Sequence, residues 1–387
     1  MLDELARSLR GRDSDRPAVI GRLTRGELAD LADRYATALH HSGLSTGDTL
    51  GVAVRPGPRA LAVMLAAHRL GLRVAVLDPA AGPDVLVGRL RLAAPALVVA
   101  DAAAQAAAGW AASVARRAGL ALPRLRAIAP VVTVGRRLPG CAAALAGRDA
   151  APPAPFEGDG DALVIFTSGT TSRPRAVVHT RASVAAGTRA VADFVRPAAG
   201  LPVVGGTLFV LVPALACGAP VALPSRPPRR LARQLASVRP QATYLTPPQL
   251  RAALNAGARF TGTVYSGSAP VSATLLGRVV AAGAVDAYGV YALTEIFPAA
   301  AVSAAEKMAY TGTGDLVGDP LPGVRANVDR HGVLRLSAPQ TADRYRQLGI
   351  ITLCTTTIAS GLLRDFVTTN EWGLAKDYSE EYLAMNV

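Results

Sequence analysis

The sequence predicts an α/β fold of parallel-sheet subdomains with a small β-rich piece, and three observations carry that reading. Short apolar runs such as "TLGVAV" (49–54), "RVAVLD" (73–78), "PALVVAD" (95–101) and "ALVIF" (162–166) have the length of strands buried on both faces. Segments with helical spacing alternate with them, which is the rhythm of strand, crossover helix and strand. Half of the 387 residues are hydrophobic and only 18% are charged, a composition that suits an ordered core and excludes a disordered chain.

Taken in order, Thr24 precedes Leu28, Leu31, Ala32, Tyr35 and Leu39 at helical spacing, and Gly43 is placed to stop that helix. A strand at 49–54, a helix at 58–70 and a strand at 73–78 follow. A helix at 82–92, the strand 95–101 and an alanine-rich helical tract at 100–119 continue the pattern. The Pro-rich stretch 147–162, "GRDAAPPAPFEGDGDA", reads as a joint between a first αβ subdomain (1–160) and a second (161–310). Beyond 162 the pattern gives helices at 182–194 and 229–238, and "TVYSGSAPVSATLLGRVVAAG" (263–283) sets a strand, a turn and a helix in succession. The small β-rich subdomain is expected at 311–346, ahead of a tail at 347–387 whose composition departs from the rest.

The formal charge of +13 suggests nucleic acid until the cations are located. Of 41 basic residues only Lys307 and Lys376 are lysines, and the tightest arginine group, Arg226, Arg229, Arg230 and Arg233, has no interleaved aromatics for stacking bases. No nucleic-acid partner is expected; a basic surface that attracts anionic substrates is. Cys141, Cys217 and Cys354 form neither a metal spacing nor a disulfide framework, and the start lacks an apolar signal segment, so the expected compartment is the cytoplasm. Residues 201–224 are uncharged over a membrane-spanning length, but Pro213, Gly218 and Pro220 divide them into a helix-like and a strand-like piece, which argues against stable membrane insertion.

Three strand-end turns carry the chemistry. In "FTSGTTSRPR", Thr167, Ser168, Gly169, Thr170 and Thr171 offer small side chains, backbone N–H groups and hydroxyl donors, the makings of a phosphate cradle, and Arg175 adds fixed positive charge. Alone, such a cluster reads as a solvated loop, and it lacks the Gly-Lys-Ser/Thr ending of a Walker loop. The second turn is "YSGSAP" and the third "VYALTE". Singly, Glu295 reads as a surface acid, Tyr291 as a core aromatic and Thr294 as a helix cap; His179 reads as structural or pocket-lining rather than as a general base.

In this order the three turns resemble those of the adenylate-forming superfamily of acyl-CoA synthetases, luciferases and peptide-synthetase adenylation domains, over about residues 16–346. The resemblance implies the large N-terminal domain of such an enzyme, which activates a carboxylic acid with ATP to give acyl-AMP and pyrophosphate. It implies ATP and Mg2+ as ligands, with CoA as a further candidate. By position, the 167–171 loop would wrap the β- and γ-phosphates. Ser266, Gly267, Ser268, Ala269 and Pro270 would line the adenine, Tyr291 would stack on it, Thr294 would touch the α-phosphate, and Glu295 would hold the metal. Thr294, Glu295 and Arg175 are the expected catalytic residues. Gly109-Trp110 with "VTVGRRLPG", "TEIFPAAAVSAAE" and "TGTGDLVGDPLPG" also resemble fatty-acyl ligases and olefin β-lactone synthetases, which implies a fatty or β-hydroxy fatty acid, with lactone closure as the alternative outcome.

The pattern breaks in three places. The superfamily's Gly-x-Pro-Lys-Gly is here Ser172-Arg173-Pro174-Arg175-Ala176, which keeps charge but not the compact ammonium or the free glycine backbone. Its aromatic-His pair is replaced by Val203-Val204-Gly205. After Arg346 the ribose-binding aspartate, the hinge and the mobile lysine domain are not found; Thr313-Gly314-Asp315 and Lys376 stand in the wrong context to replace them. Slow turnover is therefore expected unless a separately encoded C-terminal domain or partner enzyme supplies the missing groups. The rival expectations are a non-catalytic nucleotide- or acyl-binding protein and, on residues 201–224, a membrane-associated structural protein.

Overall fold

The helix signal at Thr24 is realised as a reciprocal cap. The Thr24 side chain accepts from the Glu27 N–H at 3.2 Å, and the Glu27 carboxylate accepts from the Thr24 N–H at 2.7 Å. The helix Arg25–His41 that follows buries Leu28, Ala32, Tyr35 and Leu39 on one face. The computed structural model describes residues 1–78, 82–117, 123–145, 150–167, 175–328, 333–347, 350–353, 356–359 and 366–368. Cys354 and Lys376 lie outside the described residues, and Cys141 and Cys217 are free thiols. The alanine-rich tract forms two short helices, Ala102–Ala108 and Ala112–Arg117, interrupted at Gly109.

Among the described residues the strands form two large sheets and one small one. In the eight-stranded sheet, Asp161–Phe166, Arg73–Val76, Thr49–Ala53, Leu97–Asp101 and Val131–Val134 run parallel in that spatial order. Antiparallel strands Ala176–Thr180, Arg344–Gln347 and Ile350–Leu353 extend the other edge. The ten-stranded sheet has a parallel run from Pro17–Val19 through Val221–Ala222, Val203–Val204, Ala242–Tyr244 and Thr263–Ser266 to Asp286–Leu293. It then turns antiparallel at Ile296–Ser303 and Asp315–Pro320. Both sheets therefore change from parallel to antiparallel once along this path, and each change falls where the sequence carries a candidate motif.

Burial shows how the layers stack. Leu50, Val52, Val74 and Val99 of the first sheet share one core with Val203, Val221, Ala242 and Tyr265 of the second, and Leu28, Leu39, Leu61, Leu65, Leu211 and Leu215 lie between them. A helical layer from Arg25–His41, Pro58–Arg69, Arg181–Val195 and Leu208–Ala216 is thus covered by a sheet on each side. Outside it, Leu231, Leu235, Leu250 and Leu276 cover the far face of the second sheet, and Leu86 and Leu90 cover that of the first. Residues 201–224 supply two short strands and a proline-containing helix whose Leu211 and Leu215 are fully buried. Among the described residues no helix is long and apolar enough to cross a membrane.

The β-rich piece expected at 311–346 contains Asp315–Pro320, Arg325–Val328 and Val333–Ser337, packed on a small core of Ile296, Ala299, Ala300, Val317, Leu334 and Leu336. The joint drawn at 160 falls within one sheet, because Asp161–Phe166 inserts beside Arg73–Val76. Sheet membership follows spatial order here, not the order of the chain.

Candidate active site

The hydroxyl-rich segment connects two antiparallel strands. Phe166 pairs with Ala176 and Val164 with Val178, and the Thr167 N–H donates to the Arg175 carbonyl at 3.0 Å to close the neck. Ser168, Gly169, Thr170 and Thr171 lie outside the described residues. Arg175 is exposed, with its guanidinium 5.7 Å from the centroid of the Tyr345 ring. The base of the hairpin is tied by Asp161, whose carboxylate, 10% exposed, accepts from Arg73 at 2.6 Å and from Arg344 at 2.6 and 2.7 Å.

The second turn lies one strand away from the third. Ser266 is fully buried and donates to the Leu245 carbonyl at 2.8 Å. Gly267 presses against the neighbouring strand so closely that a Cβ there would stand 2.7 Å from the Val290 carbonyl oxygen. Ser268 follows in the left-handed region at φ 69°, with its hydroxyl 2.9 Å from that of Tyr244. Burial holds the Tyr244 phenol above its ordinary pKa, so it remains a neutral partner. Ala269 is half-buried and Pro270 exposed; Ser272 then caps the helix Ala273–Ala281.

Tyr291 is half-buried and packs on the small core beneath the β-rich piece. Burial, and next the charge of Glu295, push its phenol up to about 12. Thr294 and Glu295 form the turn between Asp286–Leu293 and Ile296–Ser303. His179 Nε2 lies 2.8 Å from the Thr294 carbonyl oxygen; since a carbonyl only accepts, that nitrogen carries the proton. The ring is fully buried, meets Phe297 edge-on, and is held below the ordinary imidazole pKa by burial, as a structural strut would be. The Glu295 carbonyl accepts from the Ala342 N–H at 2.7 Å, and Glu295 Oε1 accepts from the Tyr345 hydroxyl at 2.8 Å.

His179 and Tyr345 thus tie the hairpin of the first sheet to the Thr294–Glu295 turn, and the Ser266–Pro270 turn lies on the adjoining strand of the second sheet. Tyr244 meets the second turn and Tyr345 the third, while Asp161 and Arg344 brace the base of the hairpin; none of the four was singled out from the sequence. Asp315 is engaged by the buried Lys307 at 2.8 Å, which suits the structural role left to it by its context.

The donor set can be tested against a nucleotide and its metal. Among the described residues no three His, Cys, Asp or Glu side chains gather into a metal site, and Glu295 is a single hard oxygen donor. That fits magnesium arriving on phosphates, an ion that takes one or two carboxylates and fills its remaining positions with phosphate and water. The basic Arg175 suits a phosphate chain, whereas the tight contact at Gly267 is with Val290 and belongs to the packing of the strands.

Residues 5–339 match the family model described as AMP-binding enzyme. The chain belongs to the AMP-binding enzyme family. Acetyl-coenzyme A synthetase of Beijerinckia indica subsp. indica is 29% identical over 180 residues, covering 43% of this chain and 28% of the synthetase. The Caulobacter vibrioides enzyme of the same name is 28% identical over 189 residues, with the same coverage. Each match spans less than a third of the relative's length. Among solved structures, the inhibitor-bound N-terminal domain of FACL13 from Mycobacterium tuberculosis superposes with a TM-score of 0.73 at 16% identity, covering 89% of this chain and 90% of that one. Amide bond synthetase McbA from Marinactinospora thermotolerans gives 0.69 at 20% identity, covering 89% and 72%. These likenesses establish the fold as that of the AMP-binding large domain.

Proposed function

We propose that this AMP-binding chain is the large domain of an AMP-forming acid ligase, in which a carboxylate attacks the α-phosphate of ATP and releases pyrophosphate. The observation that supports the reading is the joining of the first-sheet hairpin to the Thr294–Glu295 turn, through His179 to Thr294 and Tyr345 to Glu295, with the Ser266–Pro270 turn on the adjoining strand. The reaction brings two anions together, so its barrier falls where donors and a cation neutralise charge that grows in the transition state. Bound magnesium supplies part of that neutralisation, and Glu295 is its protein ligand. Thr294 contacts the α-phosphate. Thr167, Ser168, Gly169, Thr170 and Thr171 with Arg175 hold the β- and γ-phosphates. Ser266, Gly267, Ser268, Ala269 and Pro270 line the adenine, with Tyr291 against its face. The substrate is a carboxylic acid, with a fatty or β-hydroxy fatty acid as the specific proposal; CoA is the proposed acceptor, a proposal supported by relatives named acetyl-coenzyme A synthetase.

The test is ATP–pyrophosphate exchange on the purified chain with magnesium and a panel of short, long and β-hydroxy acids. Exchange that depends on one acid is the expected result and names the substrate class. Lactone formed from a β-hydroxy acid would move the assignment to lactone closure, whereas ATP binding without exchange for any acid would favour a binding protein.

A further inference from the structure

We infer that Tyr345 is a positioning residue for the Glu295 carboxylate, and that the short segment 341–345 couples the neck of the hydroxyl-rich loop to that side chain. The inference rests on the proposed reading of Glu295 as the magnesium ligand. Its geometry comes from contacts on both sides of the segment. Thr341 bridges to Ile296, and the Ala342 N–H donates to the Glu295 carbonyl at 2.7 Å. The Asp343 N–H then donates to the Val178 carbonyl at 3.0 Å, Arg344 is held by Asp161, and Tyr345 pairs with Val177 in the hairpin that carries the loop. From that place the Tyr345 hydroxyl reaches across to Glu295 Oε1 at 2.8 Å, while the Arg175 guanidinium lies over its ring.

The terminal torsion of a glutamate is broad and roughly two-fold, so a carboxylate with no partner samples many planes. A donor on Oε1 fixes the plane and leaves Oε2 free for one bond to a cation. That is the single-oxygen contact suited to octahedral magnesium, whose other positions go to phosphate and water. A neutral phenol does this without adding a charge that would compete with the metal. Arg175 over the ring draws electron density from the phenol and strengthens its O–H as a donor. The same arginine belongs to the neck of the loop, so its position and that of the carboxylate are set together.

The experiment is calorimetric titration of the full chain with ATP, once with magnesium chloride and once with EDTA, taking the ratio of the two Kd values as the metal's contribution. Glu295→Gln is expected to bring the ratio to near one. Tyr345→Phe, which keeps the ring under Arg175, should lower it about three- to tenfold, the range for losing one ordinary hydrogen bond. Its ATP affinity in EDTA should stay that of the parent, and its melting temperature should fall by no more than the loss of one hydrogen bond allows. Tyr345→Leu should lower the ratio equally and also weaken binding in EDTA, because Arg175 loses its support. An unchanged ratio in Tyr345→Phe, with the ratio collapsed in Glu295→Gln, overturns the positioning role and leaves the magnesium assignment standing. A raised ratio also overturns it, since the phenol would then be a competitor for the carboxylate. A ratio of one in the parent chain, or one unmoved by Glu295→Gln, removes the magnesium assignment and the inference with it.

Discussion

At Gly267 the physical reason for a residue type is unusually direct. The backbone of the turn lies on the next strand, and any side chain would meet the Val290 carbonyl, which is main chain and has nowhere to rotate. His179 makes a different argument, through protons. Burial lowers its pKa, and burial followed by the charge of Arg181 lowers that of His68 against the opposing pull of Asp3. The unfolded chain therefore binds more protons than the folded one once pH falls below about 6.5, the ordinary imidazole value. Stability is complete above that pH and is lost progressively as pH falls toward the lowered folded values. His179→Gln keeps a donor for the Thr294 carbonyl and removes one titrating group. Its melting temperature should fall less than the parent's between about pH 7.5 and about pH 5.5, and equal falls would exclude His179 from the acid response.

The hairpins are the elements that build the site, and they are also where sequence reading runs short. Thr24 announces its helix because a cap is a local contract between residues three apart, and the structure adds Glu27 as its reciprocal partner. "ALVIF" announces a buried strand, but a continuous apolar run carries no direction, so the antiparallel return at Ala176–Thr180 was not legible in it. The motif turns could be recognised from their residues, yet the links that join them span 50 residues from Tyr345 to Glu295 and 115 from His179 to Thr294. Such pairs depend on strand register, which only the assembled sheet defines. Asp161 holds the hairpin to its neighbours on both sides, taking Arg73 from one strand and Arg344 from another. Asp161→Asn would leave the partly buried Arg73 guanidinium without its carboxylate and Arg344 with one carboxylate, Asp343, in place of two, and a loss of roughly 1–3 kcal/mol is expected. Hydrogen exchange should then accelerate at the amides of Asp343 and Tyr345 before it does in the parallel strands. Uniform acceleration throughout the sheet would show that the ion pairs support the whole sheet and not this edge.

For the molecule as a whole, the decisive feature is the helical layer shared by the two large sheets. The candidate site draws one turn from the first sheet and two from the second, so its geometry depends on how the sheets are held apart by Leu28, Leu39, Leu61 and Leu211. Leu39 is fully buried in that layer, whereas Leu235, 1% exposed, packs only on the outer face of the second sheet. Both are leucines in helices, and each should cost about 2–5 kcal/mol when cut to alanine. Their consequences should differ in place. Leu39→Ala should reduce hydrogen-exchange protection together in Leu97–Asp101 of one sheet and Ala242–Tyr244 of the other, because one core serves both. Leu235→Ala should reduce it first in Ala242–Tyr244. Loss confined to one sheet in Leu39→Ala would mean that the sheets open independently, and contacts such as His179–Thr294 would then have to hold the turns in place across a joint that yields.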